Sequence, residues 1–258
     1  MKQARQRQIR QLIQQKKNVS IGELCETFHI SVETVRRDLT QLEKEGGIKR
    51  VYGGAIIPDD NDHQNRMIPW DVRYSTNQNE KEALALAALD MIPDNATIAL
   101  DSGTTMLALA KHLGTKKNLT VITNDFHIAM ELLTNTSHKL VFIGGSMDRE
   151  GLISTGYLAI DFLGSFSNID LCIASADGFN TVTGLSDNNI DMGTLKGAII
   201  SKSTKVIVVF DHSKFTVNCL YNVCPITSLH TIITDGGAPK KAVDKLRQAG
   251  LDVVLVNS

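Results

Sequence analysis

The chain has 258 residues, 42% of them hydrophobic and 21% charged, with a formal net charge of −1. Such a composition belongs to a globular protein long enough for two domains, and no apolar run reaches the roughly 18–20 residues a membrane helix needs. The N-terminal stretch MKQARQRQIR has no apolar segment behind it, so no signal peptide is expected. Cys25, Cys172, Cys219 and Cys224 are scattered without a CxxC pair, which argues against structural zinc and for buried free thiols in a cytoplasmic protein.

Charge is divided unevenly along the chain. Residues 1–57 carry 11 Lys+Arg against 6 Asp+Glu, and residues 58–258 carry 16 against 22. A head at +5 on a body at −6 points to a polyanionic partner for the head alone.

Within the head, Ile9, Leu12 and Ile13 have helical spacing and predict a helix over residues 3–16. Ser20 followed by Glu23 fits a capping box, and Ile21, Leu24 and Phe28 give the second helix an inner face. A break at His29–Ile30 precedes Ser31, an N-cap for a third helix. There Val32, Val35, Leu39 and Leu42 mark a buried stripe, so Glu33, Arg37 and Thr40 face outward and Arg36 lies on the flank. Helix, short turn and helix with an exposed basic face is the layout of a helix-turn-helix, whose second helix enters the major groove. Arginine suits that face because its guanidinium donates two hydrogen bonds to a guanine edge or to phosphate. After Gly46–Gly47, the segments Ile48–Val51 and Ala55–Ile57 predict a hairpin turned at Gly53–Gly54, with Lys49 and Arg50 at its base in reach of the phosphate backbone. Spacing and charge alone leave open a three-helix protein-binding module whose arginines are simply solvated.

The stretch SVETVRRDLTQLEKEGGIKRVYGGA, residues 31–55, resembles the winged-helix signature of the DeoR family of bacterial transcription regulators. The order Ser, two residues, Thr, Val, Arg, Arg, Asp, Leu, then a basic pair and a closing Gly-Gly-Ala is matched without a gap. The resemblance implies that Arg36 and Arg37 lie at the DNA surface. With Ser31, Glu33 and Thr34 on the same helix, and Lys49 and Arg50 in the hairpin, they form the candidate DNA-binding set.

The polar stretch PDDNDHQNRMIP, residues 58–69, reads as an exposed linker. Beyond it, WDVRYST predicts an extended start leading into a helix over residues 79–91. Ala96–Leu100, Thr120–Thr123, Lys139–Ile143, Asp170–Ser175, Lys205–Phe210, Thr231–Thr234 and Asp252–Val256 read as strands. Helices are expected between them over residues 105–113, 125–133, 191–202 and 239–249. Alternation of this kind predicts an α/β domain with a largely parallel sheet, which places ligands in loops at the carboxyl ends of strands.

The strongest such loop is Asp101-Ser102-Gly103-Thr104-Thr105, between a strand and a helix. Its glycine allows close approach of an anion, and hydroxyls and helix N–H groups converge on the same point, so phosphate fits. A well-capped helix start would look the same. Asp101 would repel phosphate and is expected to bond a sugar hydroxyl or hold the loop. Thr123-Asn124-Asp125, Gly144-Gly145, Asp177-Gly178, Lys196 and Asp211-His212-Ser213-Lys214 add polar groups at other strand ends. Asp211, His212 and Ser213 have the composition of a hydrolase triad, but sequence neighbours do not converge in that geometry.

The order of these segments, 101–105, 123–124, 144–145, 184–196 and 211–215, again resembles the DeoR family, now in its sensor domain. That resemblance implies a fold similar to sugar-phosphate isomerases and a phosphorylated sugar as effector. The candidate effector residues are Asp101, Ser102, Gly103, Thr104, Thr105, Asn124, Gly145, Asp177, Lys196 and Lys214.

The sequence is thus read as a multidomain α plus α/β protein. A winged helix-turn-helix covers residues 1–57, a linker 58–70 and an α/β sensor domain with a largely parallel sheet 71–258. The expected function is a cytoplasmic transcription regulator, a repressor of sugar-catabolism genes, with double-stranded operator DNA and a phosphorylated sugar as partners. A single winged helix has limited contact area, so a homo-oligomer, dimer or tetramer, is expected. No cofactor, metal, catalytic residue or membrane is called for. The alternative is a sugar-phosphate isomerase-like enzyme with an accessory N-terminal domain, in which Asp101, Asp177 and Lys196 supply acid–base groups.

Overall fold

Residues 2–16, 18–44, 48–51, 53–56, 70–149 and 151–256 are described by a computed structural model. They belong to two units, residues 1–78 and 79–258, each with its own apolar core. The helix stop at Gly46–Gly47, the end of the hairpin at Ile57, the linker stretch 58–69 and the Lys49 side chain lie outside the described residues.

In the first unit, α1 (Lys2–Lys16), α2 (Ile21–Phe28) and α3 (Val32–Lys44) pack through the apolar stripes that their sequences carry. Ile9 and Ile13 of α1, Leu24 of α2, and Val35, Leu39 and Leu42 of α3 are all buried in one cluster with Val19, Ile48 and Ala55. Ser20 caps α2, its Oγ accepting from the Glu23 N–H at 3.0 Å, while the Glu23 carboxylate pairs with Lys16. Ser31 Oγ accepts from the Thr34 N–H at 3.4 Å and starts α3.

The wing has three strands rather than the expected two. β1 (Asn18–Ser20), β2 (Lys49–Val51) and β3 (Gly54–Ile56) form an antiparallel sheet in the order β1-β3-β2. A Cβ on Gly54 would stand 2.3 Å from the Val19 carbonyl oxygen, so only glycine lets β3 lie this close to β1. Two other expectations are corrected. Val32 is 39% exposed, because the first residue of α3 overhangs the end of the cluster, and the buried stripe is completed instead by Asp38. Residues 70–75 are not extended but form α4 (Trp70–Ser75), where Trp70 and Tyr74, one turn apart, stack at 4.8 Å between ring centroids.

The second unit opens with α5 (Gln78–Asp90) and β4 (Thr97–Leu100), followed by α6 (Thr104–His112), β5 (Thr120–Thr123), α7 (Phe126–Asn135) and β6 (Lys139–Phe142). A short hairpin of β7 (Ser146–Asp148) and β8 (Ile153–Thr155) leads to α8 (Tyr157–Gly164). β9 (Ile169–Ala174), the hairpin β10 (Gly178–Asn180) and β11 (Gly184–Asp187), α9 (Ile190–Ser201) and β12 (Ser203–Val209) come next. β13 (Tyr221–Cys224), β14 (Thr231–Asp235), α10 (Lys240–Gln248) and β15 (Asp252–Val256) complete it.

All seven expected strands join one parallel sheet in the order β15-β14-β12-β9-β4-β5-β6. They are short apolar runs because helices cover both faces of such a sheet. From β4 the chain winds outward through β5 to β6; from β9 it winds the opposite way to β15. The direction reverses between β4 and β9, which is the place where open α/β sheets part to admit a ligand. β10, β11 and β13 form a separate antiparallel sheet beside the carboxyl end, anchored by Phe179, which stacks on Phe210 and meets Phe215 edge-on.

Candidate functional site

At the reversal between β4 and β9, the two strands end in Asp101 and Ser175. The Asp101 N–H donates to the Ile173 carbonyl at 3.0 Å, and the Ser175 N–H donates to Asp101 Oδ2 at 3.0 Å. The Asp101 carboxylate therefore pins the ends of the two strands together.

Into this junction α9 delivers Lys196. Its Nζ lies 3.0 Å from Asp101 Oδ2 and 3.0 Å from Asp187 Oδ2, and donates to the Ser175 carbonyl at 3.1 Å. An ammonium has three N–H bonds, and three acceptors surround this one. All three charged side chains are almost wholly withdrawn from water, at 6% exposure or less. Burial opposes the ammonium, but Asp101, Asp187 and Asp177 together hold the Lys196 pKa above that of an ordinary lysine. Burial likewise opposes the Asp187 carboxylate, yet Lys196 and the Asn189 N–H keep its pKa below the usual carboxylate range. Burial pushes the Asp101 pKa up, more than Lys196 draws it down.

Next to this cluster the loop 101–103 turns into α6. Gly103 has φ +120°, a conformation that side chains rarely adopt, and a Cβ there would meet nothing within 4 Å. The glycine offers no side-chain cap, so the first N–H groups of α6 face the open side of the loop. Ser102, Thr104 and Thr105 are buried around it. The loop is held from beneath by Asp125, whose Oδ2 accepts the Gly103 N–H at 3.0 Å while its Oδ1 caps α7 at His127 and Ile128.

Asn124, at the end of β5, donates through Nδ2 to the Ser154 carbonyl at 2.9 Å, and its buried Oδ1 has no partner. Gly145, beyond the end of β6, closes on β8: a Cβ would lie 2.5 Å from the Thr155 carbonyl oxygen. Lys214 sits in the turn after β12, in a region whose Cys219 thiol is pushed up by burial and also feels Asp177, Asp187 and Lys214.

The carboxyl ends of neighbouring strands thus gather Asp101, Ser102, Gly103, Thr104, Thr105, Asn124 and Gly145, while Asp177 and Lys196 meet them through Asp101 and Asp187. Asp211, His212 and Ser213 do not act together: Asp211 caps its own turn at Ser213, and His212 Nδ1 faces Asp235 Oδ1 at 2.8 Å. Among the described residues no group of three or more His, Cys, Asp or Glu could hold a metal ion.

Sequence reading passed over Asp187, which precedes Lys196 by nine residues but lies on a different element, so no helical spacing connects them. Asp125 is named among the polar groups at strand ends but not in the effector set, because it looks like an ordinary N-cap, which it also is.

In the first unit, α3 exposes Glu33, Arg36 and Arg37. Thr40 Oγ1 donates to the Arg36 carbonyl at 2.7 Å and accepts from Arg50 Nη1 at 2.5 Å, and the Arg50 N–H donates to Glu43 Oε1 at 2.7 Å. The wing is therefore tied to one flank of α3. Ser31 and Thr34 bond each other at the start of the helix, Oγ to Oγ1 at 3.0 Å.

Comparison with known proteins agrees with this architecture. Residues 5–61 match the family model described as the DeoR-like helix-turn-helix domain, and residues 76–236 match the DeoR C terminal sensor domain. The HTH-type transcriptional regulator GolR of Listeria innocua is 33% identical over 96% of this chain and 96% of its own length. The glycerol-3-phosphate regulon repressor of Escherichia coli is 33% identical over 92% of each chain. Among solved structures, ribose 5-phosphate isomerase A of Methanocaldococcus jannaschii superposes with a TM-score of 0.41 at 18% identity, over 55% of this chain and 56% of that one. No helix among the described residues is long and apolar enough to cross a membrane. With both domains of the family matched in order and the relatives similar from end to end, this chain belongs to the DeoR family.

Proposed function

We propose that the protein is a repressor of sugar-catabolism genes whose hold on operator DNA is set by a phosphorylated sugar. Residues 1–57 read the DNA, residues 58–70 link, and residues 71–258 sense the effector. The observation that carries this reading is the uncapped, glycine-started N-terminus of α6 at the sheet's reversal point, next to a buried polar cluster. A phosphate set against Gly103, Thr104 and Thr105 meets helix N–H groups and hydroxyls. The sugar hydroxyls then face Asp101, Asn124 and the loop at Gly145, with Asp177 and Lys214 further along the same edge. A relative named for the glycerol-3-phosphate regulon supports a small phosphorylated polyol or sugar.

Lys196 takes a different part from the one its charge suggests. With its three N–H bonds occupied, it fixes the carboxylates that face the sugar and does not clamp the phosphate itself. The same saturation favours a binding site over an isomerase, because a general acid or base needs a proton-transfer path to substrate. The relatives' names, all regulators or repressors, point the same way.

Ser31, Glu33, Thr34, Arg36 and Arg37 form the surface laid into the major groove, with Lys49 and Arg50 of the wing beside it. Because one winged helix buries little area, a dimer or tetramer engages repeated half-sites. An effector that prefers one arrangement of the assembled protein by 1–3 kcal/mol changes operator affinity about 5–150-fold. The site of action is the cytoplasm, as for DNA-bound regulators of bacterial sugar use.

The test is fluorescence anisotropy of the protein on DNA from upstream of its own gene, titrated with a panel of sugar phosphates. One compound changing a tight, salt-sensitive affinity supports the reading; turnover of any compound refutes it. Gly103→Val places a β-branched side chain at a positive φ in front of the helix N-terminus. It is expected to raise the effector concentration for half-response by about tenfold, equivalent to roughly 1.4 kcal/mol, with DNA affinity unchanged in effector-free buffer. A normal response from this variant would mean that phosphate binds elsewhere.

A further inference from the structure

The buried stripe of α3 contains a carboxylate. Asp38 is 1% exposed, and both its oxygens are engaged by α1: Oδ2 accepts from Arg5 Nε at 2.7 Å and Oδ1 from Gln6 Nε2 at 2.7 Å. An apolar residue at this position would dock α1 without the desolvation cost of a buried ion pair. What the carboxylate adds is direction, since it fixes the guanidinium of Arg5 through Nε, and that side chain stays 27% exposed.

The position of the pair around α3 gives that direction a meaning. At 3.6 residues per turn, Asp38 and Thr40 stand about 160° apart around the helix, with Arg37 between them. Arg50 of the wing is bonded to Thr40, on one side of Arg37, and Arg5 to Asp38, on the other. A helix of roughly 10–12 Å diameter fills a major groove about 12 Å wide, so groups on its two flanks meet the two phosphate backbones that border the groove.

We propose that Arg5, oriented by the buried carboxylate of Asp38, contacts a DNA phosphate on the side of the recognition helix opposite the wing. The proposal rests on the reading of α3 as the helix that enters the groove. It adds α1 to the DNA-binding surface and makes Asp38 a positioning residue.

Counterion release gives a readout that docking of α1 alone does not move. A duplex selected by the unmodified protein from a random-sequence pool serves as the probe, and the slope of log affinity against log salt concentration is measured by anisotropy. Arg5→Gln should reduce the magnitude of that slope by about 0.9 for each bound chain and weaken the selected and an unrelated duplex alike. Because Arg5→Gln strands a buried carboxylate, Arg5→Gln with Asp38→Asn is measured beside it. This pair removes both charges, and thermal unfolding reports whether the fold is kept. The slope should stay reduced in the double variant. A slope restored to the unmodified value there would overturn the proposal and leave Arg5 a purely structural partner of Asp38. If the unmodified protein selects no duplex at all, the DNA-binding reading fails, and this inference with it.

Discussion

Replacing Lys196 with methionine is expected to destabilise the α/β unit by about 3–5 kcal/mol, the usual cost of removing one partner from a buried ion cluster. For a unit of this size the melting temperature should fall by roughly 6–20 °C. Methionine matches the length of the lysine stem, so the loss is electrostatic: Asp101 and Asp187, at 6% exposure or less, are left facing each other without a cation. Adding Asp101→Asn and Asp187→Asn should recover much of the loss, because a neutral cluster has no charge to strand. The pH dependence has a definite sign. The Asp187 pKa is depressed in the folded protein, so its pairing stabilises above the unfolded-state pKa and is lost as pH falls through the lower folded one. The gap between unmodified protein and Lys196→Met should therefore be full at neutral pH and close below the ordinary carboxylate range. Circular dichroism melts across pH test both statements. A variant that melts with the unmodified protein at pH 7 would show that the ammonium is not holding the carboxylates.

Arg37→Ala is expected to weaken binding to the selected operator by about 1–3 kcal/mol, or roughly 5–150-fold, with no change in melting temperature. Arg37 points away from the cluster around Val35, Leu39 and Leu42, so nothing in the core depends on it. On the proposed function a guanidinium in that position pairs with a guanine edge, and its loss should relax the preference at one base pair. Arg36 is on the flank, where on the same reading loss of a phosphate contact should weaken all sequences alike. Titrating Arg37→Ala against duplexes with single base changes separates the two. An equal loss on every duplex would reassign Arg37 from base reading to phosphate binding.

The parts of this protein legible in its sequence are those in which one periodicity governs a whole element. The apolar runs Ile98–Leu100, Val121–Ile122 and Val206–Val209 are too short for helices and too regular for loops, and each became a buried strand of the parallel sheet. The outward set on α3 could be read because its stripe repeats over three turns. The three-residue strands β1, β7 and β8 gave no such signal, since they carry no alternation long enough to register. The candidate site was half legible. Loop 101–105 stands out as glycine and hydroxyls between a strand and a helix, whereas the clustering of Asp101, Asp187 and Lys196 depends on sheet order, which no local pattern encodes. Asp38 shows the converse failure. It sits inside a recognised motif at a core position of its helix, yet the stripe read from apolar residues alone does not include it.

The parallel sheet is stitched from two continuous runs of chain, residues 97–142 and 169–256, and β4 against β9 is the pairing that sews them together. Paired residues of neighbouring strands within each run are 19 to 34 residues apart, but Ile98 meets Leu171 across a gap of 73. Closing that longer loop costs only about 1 kcal/mol more in chain entropy, so the seam can be the part of the sheet that parts first. Asp101, Ser175 and Lys196 act there as a clasp, and on the proposed function an effector seated over the clasp would draw both runs together. Amide hydrogens of β4 and β9 should then exchange more slowly once effector is bound, while those of β14 and β15 keep their rates. Slower exchange confined to that seam would mean that the effector changes how firmly one run of the sheet holds the other.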